Sequence, residues 1–446
     1  MRLDDAKIKY LDNESCRLVE LLEELTPKPS GNSKETGSLS HKKPLDINIQ
    51  LNSYIVRNGS FDKVIPIASC DNGKCIGFNE ENYNNYEKFL TAINKDSNIN
   101  TTVSRQFIED KTFQWLTNTF RQKRAVSNFS TYLITEIEDS IQDLTIYHFI
   151  DYLDIKNPFQ IGKVNIGFLT AEFFDKYAEG YKVHMPDSKE NPYDGMKESY
   201  EGFVYASFNV KAERGKAKEI ALKECSLAVD ILKICSNTLV FPHLKLSFDI
   251  DSRIKESTQS ETIIQNEDFI KGLSIDLNRQ PTHYKINDQI WDLTVKRAIF
   301  HRFLVDLKGE RTELQNLILN ALRRFASALS NHNRHQRVTE LFTILESLLL
   351  IDQNSPIIDT VCKYSSKLIF KERDERKQSI SLLKRMYEVR SGLLHHAKEL
   401  SFKITDLREL QLIVHRLLIK LIELTGKHSI KKTILDEIDD AIIDAY

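Results

Sequence analysis

The last third of the chain repeats apolar residues at helical spacing, and this pattern restricts the fold more than any other feature. After Thr312-Glu313-Leu314-Gln315, which has the form of a capping box, one apolar stripe is formed by Leu314, Leu317, Ile318, Ala321, Leu322 and Phe325. Further helices are predicted over 337–351, from Ser355-Pro356 onward, through the run ending near His396, and over 405–424 and 429–446. Long helices with short connections pack as antiparallel bundles, so we predict an all-α region over 305–446.

The preceding residues mix helical and strand patterns, which indicates an α+β domain over 45–304. Residues 1–44 are predicted to form a helix over 13–25 and a flexible linker. Strands are expected over 47–56, 63–70, from Lys74, 161–168, 202–210 and 243–251. Helices are expected over 80–95, 104–123, 131–153 and 215–239.

Three details of this region lead to specific expectations. A two-residue Asn72-Gly73 turn would place Cys70 opposite Cys75, where we expect a reduced pair and no zinc site. Pro66 suggests an edge strand, because proline donates no backbone hydrogen bond. Asp249 and Asp251 share the outward face of a predicted strand, so we expect a solvated surface there.

Composition is that of an ordinary globular protein with a formal net charge of −2. Residues 306–432 contain 23 Lys and Arg against 15 Asp and Glu, a modest basic excess that suits either a phosphate-bearing partner or a mixed solvated surface. The six cysteines are scattered, the N-terminus does not resemble a signal peptide, and no uninterrupted apolar run approaches the length of a membrane span. We therefore expect a cytoplasmic protein that does not associate with a membrane.

The most informative short segment is Met386-Tyr387-Glu388-Val389-Arg390-Ser391-Gly392-Leu393-Leu394-His395-His396. Arg390 falls on the same apolar stripe as Met386 and Leu394. Because a guanidinium does not lose its proton, it requires an acidic partner or a visiting anion in such a place. His395 follows five residues later and can exchange a proton near neutral pH.

On an unbroken helix, a five-residue step separates Arg390 and His395 by about 140°. Two arrangements would bring them together: a bend at Gly392, or a second copy of the segment from a partner subunit.

With Ser391 after the arginine and long amphipathic helices around it, this segment resembles the Arg-polar-x(3–5)-His signature of the HEPN superfamily, and within it the Apea-like HEPN domains. The resemblance covers the chain from near Thr312 onward. It implies a HEPN-like helical bundle that acts as a homodimer, and a metal-independent endoribonuclease without a cofactor. It also implies anti-phage defence, with RNA or tRNA as substrate. The N-terminal domain would respond to a phage protein or a small-molecule trigger.

In this interpretation Arg390 stabilises charge on the phosphorane, His395 handles protons, and Ser391 donates to the phosphate oxygens. Glu346, at the edge of its helix's apolar face, is the expected counter-ion of Arg390. The pair either orients the guanidinium for RNA or is a core ion pair without a catalytic task. His396 sits at a spacing of six from Arg390 and could replace His395 as the working histidine.

Basic residues around the segment provide candidate contacts to the RNA backbone. Arg334, His335 and Arg337 form a compact basic group at a helix start, where positive charge opposes the helix dipole, and His396 and Lys398 lie beyond the motif. A solvated helix start is the alternative for the first three. No carboxylate–histidine cluster has metal-ligand spacing, and no phosphate-cradling glycine loop occurs. We therefore predict a cytoplasmic HEPN endoribonuclease, with a catalytically inactive interaction or RNA-binding module as the alternative.

Overall fold

A computed structural model describes residues 3–25, 53–60, 64–71, 74–125, 127–184, 192–250, 259–265, 270–277, 284–286, 292–307, 310–350, 356–396 and 398–443. The chain divides into two compact units. The first unit comprises 1–144 and 209–220, and the second comprises 145–208 and 221–446. The mixed α+β class and the all-helical C-terminal region agree with the prediction. The division predicted at residue 304 falls inside the second unit.

The first unit combines helices with a four-stranded antiparallel sheet of order β1-β4-β3-β2. Its elements are α1 (Asp5–Glu20), β1 (Glu23–Leu25), β2 (Ser53–Ser60), β3 (Val64–Asp71), β4 (Lys74–Phe78), α2 (Glu80–Asn94), α3 (Ser97–Asn100), α4 (Arg105–Gln122) and α5 (Phe129–Ser140). Their core is rich in aromatic rings, including Phe78, Tyr86, Phe113, Trp115 and Phe129. Such rings bury large apolar areas, which stabilises a small unit.

Two predictions at the N-terminus differ from the structure. The first helix begins eight residues earlier than predicted because Asp4 caps it, accepting a hydrogen bond from the Lys7 N–H. It ends at Glu20, and Glu23–Leu25 pairs with β4 as a strand. The linker predicted over 26–44 lies outside the described residues, as does the part of the first predicted strand before Ser53.

Two of the expectations drawn from the sequence concern strand β3. Cys70 faces Cys75 across the β3–β4 pair, which confirms the predicted register. The two cysteines form a disulfide, so the reduced state predicted for them is wrong. β3 is also an internal strand, contrary to the edge position inferred from Pro66. Pairing with β4 starts only at Ile67, so β4 does not require a backbone N–H from Pro66, and the proline is tolerated in an internal strand.

The chain then passes through a five-stranded sheet of order β10-β5-β9-β8-β7. Its strands are β5 (Gln142–Asp151), β7 (Phe159–Ile161), β8 (Val164–Phe168), β9 (Val204–Ala212) and β10 (Asp249–Ile250). Between them come β6 (Leu153–Ile155), α6 (Ala171–His184), α7 (Pro192–Tyr200) and α8 (Arg214–Ile234). A single 3-10 turn, Asn237–Leu239, follows α8, and β11 (Gln259–Gln265), β12 (Ile270–Leu277) and β13 (Tyr284–Ile286) follow β10.

The helix predicted over 131–153 is therefore wrong in its second half. The chain leaves α5 at Ser140 and enters β5, where Ile146 and Ile150 alternate with Tyr147 and Phe149. Apolar residues at this density satisfy both a helical and a strand period, and pairing with β9 and β10 decides between them. The strand predicted over 243–251 likewise shortens to Asp249–Ile250.

Asp249 is not on a solvated face, contrary to the prediction. Its Oδ2 lies 2.6 Å from the Nζ of Lys233 on α8, and the Lys233 side chain is only 5% exposed. Asp251 lies outside the described residues. A buried lysine requires a counter-charge, which explains why this carboxylate points inward.

The C-terminal helices are α9 (Asp292–Asp306), α10 (Glu313–Ser330), α11 (Arg334–Leu349), α12 (Ile357–Ile369), α13 (Arg373–His396), α14 (Ile404–Leu424) and α15 (Lys431–Ile443). The capping box at Thr312 and Gln315 is present as predicted. Pro356 occupies the N-cap position of α12, and Ser355 lies outside the described residues. These helices share one hydrophobic core with α8 and strands of the second sheet.

Candidate functional site

Helix α13 carries the Arg–His segment and packs its Leu383, Met386 and Val389 into the core. The backbone remains helical through Gly392 to His396, so α13 is unbroken at Gly392. An added Cβ at Gly392 would lie 3.1 Å from Leu400 Cδ1 and 3.2 Å from the Lys398 carbonyl oxygen. Glycine therefore allows the segment after α13 to approach the helix closely.

Arg390 reaches across to α11 and pairs with Glu346, as the sequence predicted. Its Nη2 donates to Glu346 Oε2 at 3.2 Å and lies 3.0 Å from Oε1, which has no hydrogen-bond partner among the described residues. The side chains of Arg390 and Glu346 are 13% and 17% exposed. The pair is thus largely shielded from water but reaches the surface.

Tyr387, one turn before Arg390, is the other partner of the guanidinium and was not predicted. Its hydroxyl accepts from Arg390 Nη1 at 3.3 Å, and its ring centroid is 5.2 Å from Arg390 Cζ. The ring itself is held edge-on by Phe342 of α11, with centroids 5.4 Å apart. The signal available in the sequence was the i, i+3 spacing of Tyr387 and Arg390.

Burial and charge oppose each other at Glu346. Desolvation raises the pKa of the Glu346 carboxyl above its ordinary value, although the charge of Arg390 acts to lower it. The Nε of Arg390 is buried and has no acceptor among the described residues. The guanidinium therefore has one donor that the protein does not satisfy.

Of the remaining predicted catalytic residues, Ser391 is half-buried on α13, next to Arg390. The backbones of His395 and His396 form the last residues of α13, whereas their side chains lie outside the described part of the molecule. Arg390 and Glu346 are therefore the two predicted catalytic side chains that the structure brings together.

Arg337 was predicted to contact RNA, and the structure places it in the core instead. It is 2% exposed, and it donates from Nε and Nη2 to the Asn331 carbonyl at 3.1 and 2.6 Å. Its Nη1 donates to the Pro242 carbonyl at 3.0 Å and to Gln411 Oε1 at 3.2 Å. Burial lowers the pKa of Arg337 to about 10, and a side chain enclosed in this way is inaccessible to RNA.

The other residues predicted to contact RNA differ from Arg337 in their contacts and exposure. The Nε2–H of His335 donates to the Leu400 carbonyl at 3.0 Å, and its ring meets Phe402 edge-on at 5.1 Å. Arg334 and Lys398 are exposed. His335 therefore holds the segment that follows α13. Of Arg334, His335, Arg337 and Lys398, which were predicted to contact RNA, only Arg334 and Lys398 are exposed to solvent.

A surface cleft of about 600 Å³ lies beside α13 and the same segment. It is lined by Arg385, Val389, Ser401, Phe402, Lys403 and Asp406. Arg385 is bound by Asp406 across the cleft, with Nη2 2.8 Å from Oδ1. Arg390 is not among the lining residues, because it leaves α13 about 100° around the axis from Val389.

Within the described ranges, no group of three or more His, Cys, Asp or Glu side chains could hold a metal ion. None of the helices described is long and apolar enough to cross a membrane. No family model, no curated protein and no solved structure matches this chain. The site must accordingly be interpreted from its own geometry.

Proposed function

We propose that the chain is a metal-independent endoribonuclease of the HEPN type. The observation that supports this most is the contact of Arg390 with Glu346, which joins α13 to α11 directly before the two histidines. The carboxylate is held at an electrostatic cost, and the guanidinium keeps a buried donor without an acceptor in the described part of the chain. Perturbed, incompletely satisfied charges of this kind are typical of functional sites.

The chemistry follows from what RNA itself provides. The ribose 2′-OH is the nucleophile, so the protein has to move protons and to stabilise charge on the phosphorane. Arg390, oriented by Glu346 and Tyr387, supplies the cation. His395 removes the proton from the 2′-OH or delivers one to the leaving 5′-oxygen, and Ser391 donates to the phosphate. The products are a 2′,3′-cyclic phosphate and a 5′-hydroxyl.

The unbroken helix supports the homodimer as the way to complete this site. Since about 140° separates Arg390 from His395 on a straight helix, the two do not share a face of one copy. A partner copy places its own segment opposite, so that Arg390 of one subunit and His395 of the other contact one phosphate. The proposed role in phage defence and the triggering ligand rest on the family resemblance alone, and the cytoplasmic location rests on the scattered cysteines of the sequence.

A second candidate function is a HEPN-type bundle without catalysis, acting as an interaction or RNA-binding module. The surroundings of Arg390 favour this second function. Only 13% of the Arg390 side chain is exposed, and both of its terminal nitrogens already have partners in Glu346 and Tyr387. In this case the pair is a structural link between α11 and α13.

The test compares the purified wild-type chain with Arg390→Ala, His395→Ala and His396→Ala on labelled RNA in the presence of EDTA. We expect cleavage with cyclic phosphate ends, a loss of more than about a hundredfold in Arg390→Ala, and a similar loss in whichever histidine variant removes the working group. Matched controls are Arg385→Ala, which removes an exposed arginine of the same helix, and His243→Ala, which removes an exposed histidine elsewhere.

Growth and total RNA of cells expressing the same variants, with and without phage, extend the test to conditions that supply a trigger. RNA that stays equally intact with all of these chains under every condition contradicts the nuclease. RNA binding without cleavage by the wild type then supports the inactive module.

A further inference from the structure

Six aromatic side chains lie on one side of the second sheet, and none of them takes part in the site described above. We call this surface the aromatic face; it consists of Tyr147, Phe149, Phe173, Tyr200, Phe203 and Tyr205. Tyr147, Tyr200 and Phe203 are 36%, 37% and 42% exposed. Met196, one turn before Tyr200 on α7, adds an apolar side chain that is 44% exposed.

Ring contacts join the members of the aromatic face into two groups of three. Phe149 stacks on Tyr200 at 5.2 Å and meets Phe203 edge-on at 5.7 Å. Tyr147 meets Tyr205 at 4.9 Å and Phe173 at 5.5 Å. Tyr147 and Phe149 are two residues apart on β5, so strand geometry places both groups on one side of the sheet.

The opposite side of the sheet packs against the main hydrophobic core. Ile150, Ile166, Val204 and Ala206 point into the main hydrophobic core with α8. On the other side, the contacts of Phe173 and Tyr200 attach α6 and α7 to the sheet, while Tyr147, Tyr200 and Phe203 remain exposed. Contiguous exposed apolar surface of this kind marks binding sites in soluble proteins.

The backbone beneath the rings is held firmly. Gly202 turns the chain at a φ of +84°, and its N–H donates to the Leu169 carbonyl at 2.8 Å. The Leu169 N–H in turn donates to the Phe203 carbonyl at 3.0 Å. The Tyr205 ring lies across Gly167 of the adjacent strand, where an added Cβ would come within 2.8 Å of the tyrosine oxygen. Such preorganised rings lose little entropy on binding.

The charges beside the rings are mainly negative. Lys197 donates to Asp175 at 2.7 Å, which raises the pKa of this lysine, and Glu201 and Asp194 act on it in the same direction. Asp175, Asp194 and Glu201 thus act on one ammonium, that of Lys197, three residues before Tyr200 on α7, and Glu198 is exposed on the same helix. This field repels a phosphate backbone and attracts cations.

We propose that the aromatic face binds a cationic peptide segment, rich in arginine and containing apolar residues, of a partner protein. Guanidinium groups bind well over aromatic rings, and the carboxylates around Lys197 supply the complementary charge. Apolar side chains of the same segment cover Met196 and the exposed ring surface. The proposal does not depend on the nuclease function, because none of its residues belongs to that site.

The test uses the full-length chain and a short fluorescent peptide of alternating arginine and leucine, followed by anisotropy at physiological salt. We expect saturable binding that weakens about tenfold in a Tyr200→Ser, Phe203→Ser double variant, since each exposed cation–π contact contributes a few-fold in affinity. Glu201→Gln should weaken binding severalfold. The matched controls are Phe241→Ser, whose ring is 49% exposed outside the face, and Glu388→Gln on α13.

Three results would overturn the proposal. The first is an absence of saturable peptide binding at millimolar concentration. The second is binding that the ring variant and the Phe241 control affect equally, which would show that the peptide does not bind at the aromatic face in particular. The third is stronger binding of a single-stranded oligouridine, lost in the ring variant, which would assign the face to nucleic acid. Circular dichroism of each variant verifies that the fold is retained.

Discussion

Two arginines of the helical region are largely buried, and their surroundings show different uses of the same side chain. Arg337 donates to the carbonyl oxygens of Asn331 and Pro242 and to Gln411, all of which are neutral. Gln411 in turn donates to the carbonyls of Thr238 and Leu239. Arg337 thus ties α11 and α14 to the segment after α8, whereas Arg390 meets a carboxylate near the surface.

Replacing Arg337 by lysine should lower the free energy of unfolding by about 3 kcal/mol, because a lysine cannot reach these separated acceptors and leaves buried oxygens unpaired. Urea denaturation measures the change. Arg334→Lys, at an exposed position of the same helix, should stay within about 0.5 kcal/mol of the wild type. Equal effects of the two substitutions would show that the buried network contributes little.

Glu346 gives a prediction about pH. Its pKa in the folded state is raised, so the stability it contributes is fully present below the ordinary glutamate pKa and is lost as pH rises through the folded value. Glu346→Gln should match the wild type in stability at low pH and exceed it at neutral pH. Chemical denaturation across a pH series checks this. A variant that is less stable at neutral pH would mean that attraction to Arg390 outweighs desolvation.

At the scale of secondary-structure elements, the end of α13 is joined to α11 through the segment after it. The Lys398 N–H donates to the Gly392 carbonyl at 3.0 Å, and the Leu400 carbonyl accepts from His335. Phe402 packs on the same imidazole. This arrangement holds the segment beside the last two turns of the helix, directly next to the candidate histidines.

Gly392→Ala should loosen this segment, since the new methyl group would contact Leu400 and the Lys398 carbonyl at 3.1 and 3.2 Å. We expect amide hydrogen exchange over 398–402 to increase about tenfold, while global stability changes little because alanine favours the helix by about 1 kcal/mol. Ser391→Ala is the matched control. Unchanged exchange in the Gly392 variant would show that the segment accommodates the methyl group without moving.

At the scale of the whole molecule, the two compact units have separate hydrophobic cores. Phe113 belongs to the first core and Phe325 to the second, and both side chains are 0% exposed. A chain with two cores need not unfold in one step, so a single unfolding temperature would be an incomplete description.

Phe113→Ala and Phe325→Ala should each destabilise their own unit by about 3–5 kcal/mol through the cavity that they leave. Hydrogen exchange resolves where the effect falls. Phe113→Ala should accelerate exchange in α1–α5, and Phe325→Ala should do so in α10–α15. Acceleration throughout the chain by either substitution would indicate that the two units unfold as one.

Local features of the sequence determined much of the helical region. The capping box at Thr312, the bounds of α14, and the pairing of Arg390 with Glu346 all agree with the pattern of residues. Such features depend on neighbours within one or two turns, or on a buried charge that admits few partners. The opposition of Cys70 and Cys75 followed in the same way from a two-residue turn.

Only the tertiary structure decided which charged and aromatic residues are accessible. Arg337 occurs beside Arg334 in a basic stretch, yet its acceptors at Pro242 and Gln411 come from distant parts of the chain. Asp249 turned inward because Lys233 needed a counter-charge, and the aromatic face arose when β5, β9 and α7 came together. Sequence periodicity reports which side of an element is apolar, whereas burial of a particular side chain depends on what the rest of the fold places against it.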